Sequence, residues 1–144
     1  MKKEGAPIIV EEEFSQSASI VWDAITNIDL MPKWYFENIP AFKPEVGFST
    51  QFVVESGGRS FLHLWDVTEV IPQRKIVYNW KYEDHPGDSF VSFEISESGK
   101  STMLKVSHQV QEDFPEDIPE FTRESCLGGW TYFIKDRLKV YLDE

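Results

Sequence analysis

The C-terminal stretch, residues 121–141, constrains the fold more than any other part of the sequence. At about 100° per residue it forms one long amphipathic helix with a single apolar stripe and a charged opposite face. The stripe comprises Leu127, Trp130, Ile134, Leu138 and Tyr141, with Phe133 beside it. About twenty residues at ~1.5 Å each give a rod of ~30 Å, the width of a small domain. A helix with this pattern predicts a sheet for it to cover.

The period of the apolar residues changes along the rest of the chain. Residues 8–14 alternate and predict a first strand, and Ser17 is suited to cap a short helix after it. A second short helix is predicted from Asp29 through Trp34. Residues 46–110 alternate almost throughout, with turn signals at short intervals, which predicts an antiparallel meander. The predicted fold class is α+β: one strand, two short helices, a curved antiparallel sheet and a long terminal helix in its grip.

The charge balance argues against several classes of partner. The chain has 14 basic and 25 acidic side chains in 144 residues, a net charge of -11, so phosphate backbones and anionic lipid surfaces are repelled. No segment has the length of a membrane span, and the first residues lack the apolar run of a signal peptide. The one cysteine, Cys126, has no partner for an internal disulfide. We therefore expect a single cytoplasmic domain, residues 1–144, without nucleic-acid binding or membrane insertion.

Aromatic side chains are the candidates for a binding site. The sequence contains five Trp, five Tyr and eleven Phe, and many of them belong to inward faces of elements that must converge. Rings with a few polar groups between sheet and helix would suit a small hydrophobic ligand, whereas a filled core is the simpler alternative for each ring alone. The predicted ligand-binding residues are Trp22, Trp34, Phe52, His63, Trp65, Trp80, Phe93, His108, Trp130, Ile134 and Arg137.

Polar residues offer fewer possibilities. His63 and His108 fall on inward strand faces and Glu69 shares the face of Val67, so an acid–base pair is possible if strand register brings them together. Arg137 either extends its stem along apolar surface or presents its guanidinium to an anionic or phenolic ligand group. The three histidines and one cysteine lack metal-ligand spacing, and no Ser nucleophile with its partners can be identified. We predict no catalytic residue, no metal and no cofactor.

Two adjacent glycines, Gly128 and Gly129, interrupt the predicted long helix. Each costs up to ~1 kcal/mol relative to alanine in a helix interior. Close approach of the helix to the sheet, or a bend that opens a hollow, would account for them.

One set of residues recurs in the order and spacing of a known family pattern: Phe14, Ser17, Ala18, Val21, Trp22, Ala24, Thr26, Trp34, Val46, Gly47, Val67, Glu69, Val70, Pro72, Ile76, Trp80, Thr102, Gly129 and Trp130. With these residues the chain resembles the helix-grip or Bet v 1-like fold of the START (SRPBCC) superfamily. Within that superfamily it is similar to the family of the activator of heat-shock protein 90 ATPase, homologue 1-like, C-terminal domain. Two departures put bulky rings, Phe48 and Trp65, where the family pattern carries glycine, and predict a narrower or differently shaped hollow.

The resemblance and the convergent rings together give three hypotheses. The first is binding of a small hydrophobic, aromatic or lipid-like molecule between the sheet and the C-terminal helix, without chemistry. The second is a chaperone-regulating interaction module, which the family name implies. The third is an enzyme similar to the polyketide cyclases and aromatases that share the fold. A shared fold alone does not decide among them.

Overall fold

Six antiparallel strands form one curved sheet in the computed structural model, which describes residues 1–143. The strands are β1 (Ile8–Phe14), β2 (Ser49–Ser56), β3 (Arg59–Ile71), β4 (Lys75–Tyr82), β5 (Asp88–Ser98) and β6 (Ser101–Glu112). Their order in the sheet is β1-β6-β5-β4-β3-β2. Five strands are therefore joined as a meander, and β1 pairs with the last of them. The predicted α+β helix-grip fold is confirmed.

The helical elements lie where the sequence pattern predicts them, with one shortened. Helix α1 (Ala18–Thr26) begins after Ser17, whose hydroxyl accepts a hydrogen bond from the Ile20 amide at 3.3 Å. The second short helix is only a 3₁₀ turn, Met31–Lys33. Trp34 ends it, with its backbone N–H bonded to the Met31 carbonyl. The buried Trp34 ring is held by its indole N–H, which donates to the Ala24 carbonyl at 2.8 Å. No helix within residues 1–143 is long and apolar enough to cross a membrane.

The C-terminal helix spans residues 123–142 and changes geometry along its length. It comprises α2 (Arg123–Thr131), a π-helical segment (Tyr132–Leu138) and α3 (Lys139–Leu142), after a 3₁₀ turn at Pro119–Phe121. The Lys139 amide, for example, donates to the Ile134 carbonyl five residues back. π-Helical geometry is rare in proteins and occurs often at functional sites.

The buried stripe of this helix differs from the predicted one at its first position. Trp130, Ile134 and Leu138 are buried, whereas Leu127 is 44% exposed. Successive buried positions are four residues apart, and the same spacing continued backward leads to Cys126, which is partly buried. Leu127 is about 100° around the helix from Cys126 and therefore faces solvent. The prediction of a buried Leu127 was wrong.

Aromatic packing fills one end of the space between sheet and helix. Tyr35 stacks on Trp34 at 4.4 Å between ring centroids and on Trp65 at 5.4 Å. Tyr78 stacks on Phe93 at 5.8 Å, and its hydroxyl lies 2.8 Å from that of Tyr35. We call this cluster of five rings the filled end. All five residues are buried, so little room for a ligand exists here.

A second, smaller apolar cluster closes the opposite end of the sheet. It contains Phe61, Val110, Phe114 and Phe121. Gly87 allows it to form, because a Cβ atom there would lie 2.2 Å from the Phe114 ring and the backbone φ is +119°. The space between this cluster and the filled end is described next.

A candidate ligand cavity beneath the C-terminal helix

A cavity of about 300 Å³ lies between the sheet and the first turns of the C-terminal helix. The antiparallel register of β3 and β4 brings two of its lining residues together, because the start of β3 lies opposite the end of β4 and His63 pairs with Tyr82. Its sheet wall is formed by Val54, Ser56, Phe61, His63, Trp80, Tyr82 and His108. Its other lining residues are Met1, Phe36, Glu120, Phe121, Ser125, Cys126, Gly129, Trp130 and Phe133. We call this region the hollow end.

His63 presents one free nitrogen in this wall. Its Nδ1 lies 3.1 Å from the carbonyl oxygen of Phe61, which can only accept, so Nδ1 carries the proton. Burial lowers the pKa of His63 to about 4, so the ring is neutral at pH 7. Nε2 therefore carries a lone pair, and it makes no hydrogen bond within residues 1–143.

Tyr82 faces His63 across the two strands, with the ring centroids 4.7 Å apart and the rings nearly perpendicular. The indole N–H of Trp80 donates to the Tyr82 hydroxyl oxygen at 2.9 Å. Burial raises the pKa of Tyr82, so its hydroxyl keeps its proton throughout the neutral range. That O–H has no acceptor within the described part of the chain.

His108, in contrast, has both ring nitrogens engaged. The indole N–H of Trp130 donates to His108 Nδ1 at 3.0 Å, so the ring proton is on Nε2, which donates to Ser89 Oγ at 2.8 Å. The Ser89 hydroxyl in turn donates to the Trp80 carbonyl at 2.7 Å. Burial lowers the pKa of His108 to about 4. These hydrogen bonds hold His108 in its neutral form, and through Trp130 they connect the sheet to the C-terminal helix.

Cys126 is near this network without being activated by it. Its sulfur lies 3.5 Å from His108 Nδ1, the nitrogen that also accepts from Trp130. Burial raises the pKa of the Cys126 thiol to about 12, and a neutral histidine offers no charge to lower it. The group is therefore a thiol at neutral pH and contributes an apolar surface to the cavity.

The mouth of the cavity is polar. Glu120 accepts hydrogen bonds from Ser56 Oγ at 3.0 Å and from Arg59 Nη1 at 3.4 Å. These contacts join the β2–β3 hairpin to the segment just before the C-terminal helix. The mouth thus carries the Glu120–Arg59 ion pair, and the terminal ammonium of Met1, another lining residue, donates to the Phe121 carbonyl at 2.7 Å.

Four of the eleven predicted ligand residues line the cavity: His63, Trp80, His108 and Trp130. Phe52, Trp65 and Phe93 are buried and pack against other rings instead, and Ile134 is buried on the helix stripe beyond the cavity. Trp34 is fully buried at the filled end. Trp22 lies partly buried on α1, against the outside of the core. The structure does not bring these six residues into the cavity wall.

Arg137 also lies away from the cavity. Its guanidinium donates to the Lys33 carbonyl at 3.1 Å and to the Tyr132 hydroxyl at 3.2 Å, at the far part of the C-terminal helix. The π-helical segment moves Arg137 off the Trp130–Ile134 face, so its head binds surface groups. Arg137 instead lines a separate pocket on the surface, together with Lys33 and Tyr141.

Glu69 takes no part in an acid–base pair with either buried histidine. A β-bulge between Val67 and Glu69 shifts the register, so Val70 follows Val67 on the inner face. Glu69 is exposed and forms an ion pair with Lys75 at 3.5 Å. A sequence pattern of strict alternation cannot detect such an insertion.

The two bulky residues that replace glycines of the family pattern, Trp65 and Phe48, lie in different parts of the structure. Trp65 is 1% exposed and fills the space between Tyr35, Phe52, Tyr78 and Trp80, next to the cavity rather than in it. Phe48 is partly buried and stacks with Phe42 at 6.0 Å, outside the cavity lining. Trp65 therefore belongs to the packing that closes one end of the space and leaves the other open.

Several lining residues were missed by the sequence reasoning. Phe36 follows the 3₁₀ turn in an irregular segment, where no periodicity indicates its direction. Tyr82 continues the Ile76, Tyr78, Trp80 alternation and could have been included on that signal. Cys126 and Gly129 precede Trp130 by four and one residues, and their face of the helix is the one that continues the buried stripe.

Comparisons with known proteins agree with this architecture. Residues 15–143 match the family model described as Activator of Hsp90 ATPase homolog 1-like protein. No curated protein matches the sequence at a significant level.

Among solved structures, protein CV1439 from Chromobacterium violaceum is similar with a TM-score of 0.77 and 19% identity, over 96% of this chain and 97% of that one. PFC0360w, an HSP90 activator from Plasmodium falciparum, has a TM-score of 0.73 and 22% identity, over 96% and 97% of the two chains. DynU16, a protein of the dynemicin biosynthetic locus, has a TM-score of 0.75 and 21% identity over 96% of this chain, which spans only 48% of DynU16. These likenesses establish the fold, and the family match covers nearly the whole sequence. The chain belongs to the family of Activator of Hsp90 ATPase homolog 1-like proteins.

Proposed function

We propose that this protein binds a small, largely apolar molecule in the cavity beneath its C-terminal helix. The observation that supports this most is the cavity of about 300 Å³ itself, next to an end of the same space that is fully packed. Ligand pockets range from about 300 Å³ upward and are lined mainly by apolar and aromatic side chains with a few placed polar groups. The wall of the hollow end has this composition.

The charges argue for an uncharged ligand. Both histidines in the wall are neutral at pH 7 and Cys126 is a thiol. The charged groups around the cavity already have protein partners: Glu120 is paired with Arg59, and the Met1 ammonium donates to the Phe121 carbonyl. A buried ion without an opposite charge would cost several kcal/mol or more. The net charge of -11 further disfavours anions.

Binding without chemistry is favoured over the cyclase-like alternative. A general base needs a lone pair within hydrogen-bond reach of a substrate proton. The only lone pair of neutral His108 accepts from Trp130, and its N–H is given to Ser89. His63 Nε2 does carry a free lone pair, but burial lowers the pKa of His63 to about 4, well below the near-neutral value that suits a general base. We therefore propose that His108 supports the cavity and that neither histidine moves protons.

The chaperone-regulating alternative draws on the family description and on the Plasmodium falciparum relative, whose name concerns Hsp90 activation. A direct test is to add the protein to the matching chaperone and measure ATP hydrolysis. A rate increase abolished by surface substitutions, and unaffected by filling the cavity, would favour that alternative.

Gly129 and Gly128 offer a matched pair for testing the proposed site. Gly129 lines the cavity and Gly128, its neighbour, is exposed, and a Cβ at either position meets no atom within 4 Å. Gly129→Leu should fill the cavity with a side chain, whereas Gly128→Leu should place the same side chain in solvent.

The experiment is an NMR titration with uncharged two- and three-ring aromatic compounds and short-chain lipids. In the wild-type protein the indole signals of Trp130 and Trp80 should shift first. Gly129→Leu should weaken binding at least tenfold, and Gly128→Leu should leave it unchanged. Equal binding by both variants, or shifts confined to the outer surface, would contradict the proposed site.

A further inference from the structure

Two side chains in the cavity wall each keep one unused hydrogen-bonding function, an acceptor at His63 Nε2 and a donor at the Tyr82 hydroxyl, and the two are complementary to one ligand group. We propose that the cavity selects a molecule bearing a hydroxyl group, a phenol or an alcohol, whose oxygen binds between His63 Nε2 and the Tyr82 hydroxyl. This inference rests on the proposed function, since it names the chemical class that the cavity takes.

His63 supplies the acceptor. The side chain is 5% exposed, and the Phe61 carbonyl fixes its proton on Nδ1 at 3.1 Å. Nε2 makes no hydrogen bond with the described residues and is not among the fully enclosed polar atoms, so a ligand donor can supply the bond that the protein leaves unmade. Because His63 lines the cavity, a ligand donor can reach it from there.

Tyr82 supplies the donor. The Trp80 indole N–H already donates to its oxygen at 2.9 Å, which leaves the phenolic hydrogen for an outside acceptor. Indole can only donate, so the direction of this bond is fixed. The rings of Tyr82 and His63 lie 4.7 Å apart, and no hydrogen bond joins the two groups within residues 1–143. One donor and one acceptor are therefore presented side by side.

A hydroxyl group satisfies both positions at once, because its hydrogen can be given to His63 while its oxygen accepts from Tyr82. A ketone or ether can accept from Tyr82 but gives His63 nothing. A carboxylate cannot donate, and it would meet a lone pair inside and the Glu120 carboxylate at the mouth. An ammonium group could donate to His63 but would bury its charge without a counter-ion, because the other polar groups of the interior are neutral.

His108 shows why the pair is specific to His63. It lines the same cavity and is 4% exposed, yet both of its nitrogens are bonded within the protein, to Trp130 and to Ser89. A ligand hydroxyl would have to break one of those bonds to reach it. In this proposal His108 has a structural role and His63 recognises the ligand.

The test compares 2-naphthol with 2-methoxynaphthalene, which has the same rings and an oxygen that accepts but cannot donate. Wild-type protein should bind 2-naphthol about five- to tenfold more tightly, as expected for one additional hydrogen bond to a buried acceptor. His63→Phe keeps the ring volume without the acceptor and should reduce this preference to near one. Tyr82→Phe should weaken both ligands by a similar factor, since both accept from its hydroxyl.

Two controls guard against a general effect of substitution. Phe36→Leu alters the apolar wall and should weaken both ligands equally, with the preference retained. The ¹⁵N shift of His63 Nε2 in the unmodified protein should move on addition of 2-naphthol and not of 2-methoxynaphthalene, with His108 unchanged in both cases. This second measurement does not depend on any variant folding.

The outcomes separate the inference from the proposed function. If both ligands shift the Trp130 and Trp80 signals and bind equally well, the hydroxyl selection is overturned while the cavity site stands. If neither ligand shifts those signals, both proposals are overturned. A preference for 2-naphthol that survives His63→Phe would also overturn the assignment to His63.

Discussion

The two ends of the space beneath the C-terminal helix are built from the same strands and similar side chains, yet only one is packed. At the filled end, Trp34, Tyr35 and Trp65 stack on one another, and the two tyrosine hydroxyls of Tyr35 and Tyr78 bond to each other at 2.8 Å. At the hollow end, the rings stand around a volume of about 300 Å³. At the first end the two tyrosine hydroxyls satisfy each other, although the buried Trp65 indole N–H has no partner within residues 1–143. At the second end, His63 Nε2 and the hydroxyl hydrogen of Tyr82 face open space.

This difference teaches that aromatic content alone does not indicate a pocket. Along β3 and β4, Trp65 and Tyr78 of the filled end belong to the same alternation as His63, Trp80 and Tyr82 of the hollow end, so the pattern does not distinguish the two regions. What differs is the helix above them: Ile134 and Leu138 are fully buried above the sheet, whereas Gly129 is smaller and leaves space. The hollow is thus opened by a missing side chain.

The largest expected effect is on stability. Phe93→Ala at the filled end should lower the free energy of unfolding by about 3–5 kcal/mol, because a fully buried ring leaves a cavity in a tightly packed region. Phe133→Ala, a partly buried ring in the wall of the hollow end, should cost about half of that. Urea denaturation monitored by circular dichroism measures both. Equal losses would mean that the hollow end is packed as firmly as the filled end.

Lowering the pH should have an intermediate effect on the free energy of unfolding. The folded-state pKa of His63 and of His108 is about 4, below the unfolded value of 6.5, so the unfolded state binds more protons as the pH falls below 6.5. Each histidine should then lower the free energy of unfolding by about 2 kcal/mol between pH 7 and pH 5. His63→Phe should remove roughly half of that slope. A free energy of unfolding that does not change between pH 7 and pH 5 would show that the two histidines are solvated by water in the hollow end.

The smallest effect concerns the two glycines. Gly128→Ala and Gly129→Ala should each raise the free energy of unfolding by about 0.5–1 kcal/mol, because alanine favours the helix and neither Cβ meets an atom within 4 Å. Only Gly129→Ala narrows the hollow, so the two variants should have equal melting temperatures and unequal ligand affinities. A loss of stability in Gly129→Ala alone would indicate that the helix is closer to the sheet than the structure has it.

The fold was predictable because its signals are repeated along the chain. The alternation at Ile76, Tyr78 and Trp80, the cap at Ser17 and the stripe at Trp130, Ile134 and Leu138 each agree with the observed elements. Their order, together with the family resemblance, gave the helix-grip architecture. Local rules are sufficient here because each element buries one face.

The candidate site was less predictable, because it depends on small departures from those rules. The bulge after Val67 turned Glu69 outward, and the four-residue spacing of the buried helix positions runs through Cys126 and leaves Leu127 in solvent. The π-helical segment moves Arg137 off the Trp130–Ile134 face, so its head takes the surface position that was one of its two expected placements. Alternation brought Trp65 and Phe93 to the inner face together with Trp80, but it cannot tell which part of that face is covered by helix side chains. Phe36 lies in a segment with no period at all. Packing between distant segments decides such positions.

The contacts of Glu120 with Ser56 and Arg59 have a consequence for rates. Exposed ion pairs of this kind add little to equilibrium stability, about 0–1 kcal/mol, and are weakened by salt. These contacts lie at the mouth of the cavity, however, so they must break when a ligand enters or leaves. The contacts inside the cavity, which determine the affinity, are not changed by this. Salt should therefore raise both the association and the dissociation rate constants of the ligand and leave its dissociation constant nearly the same.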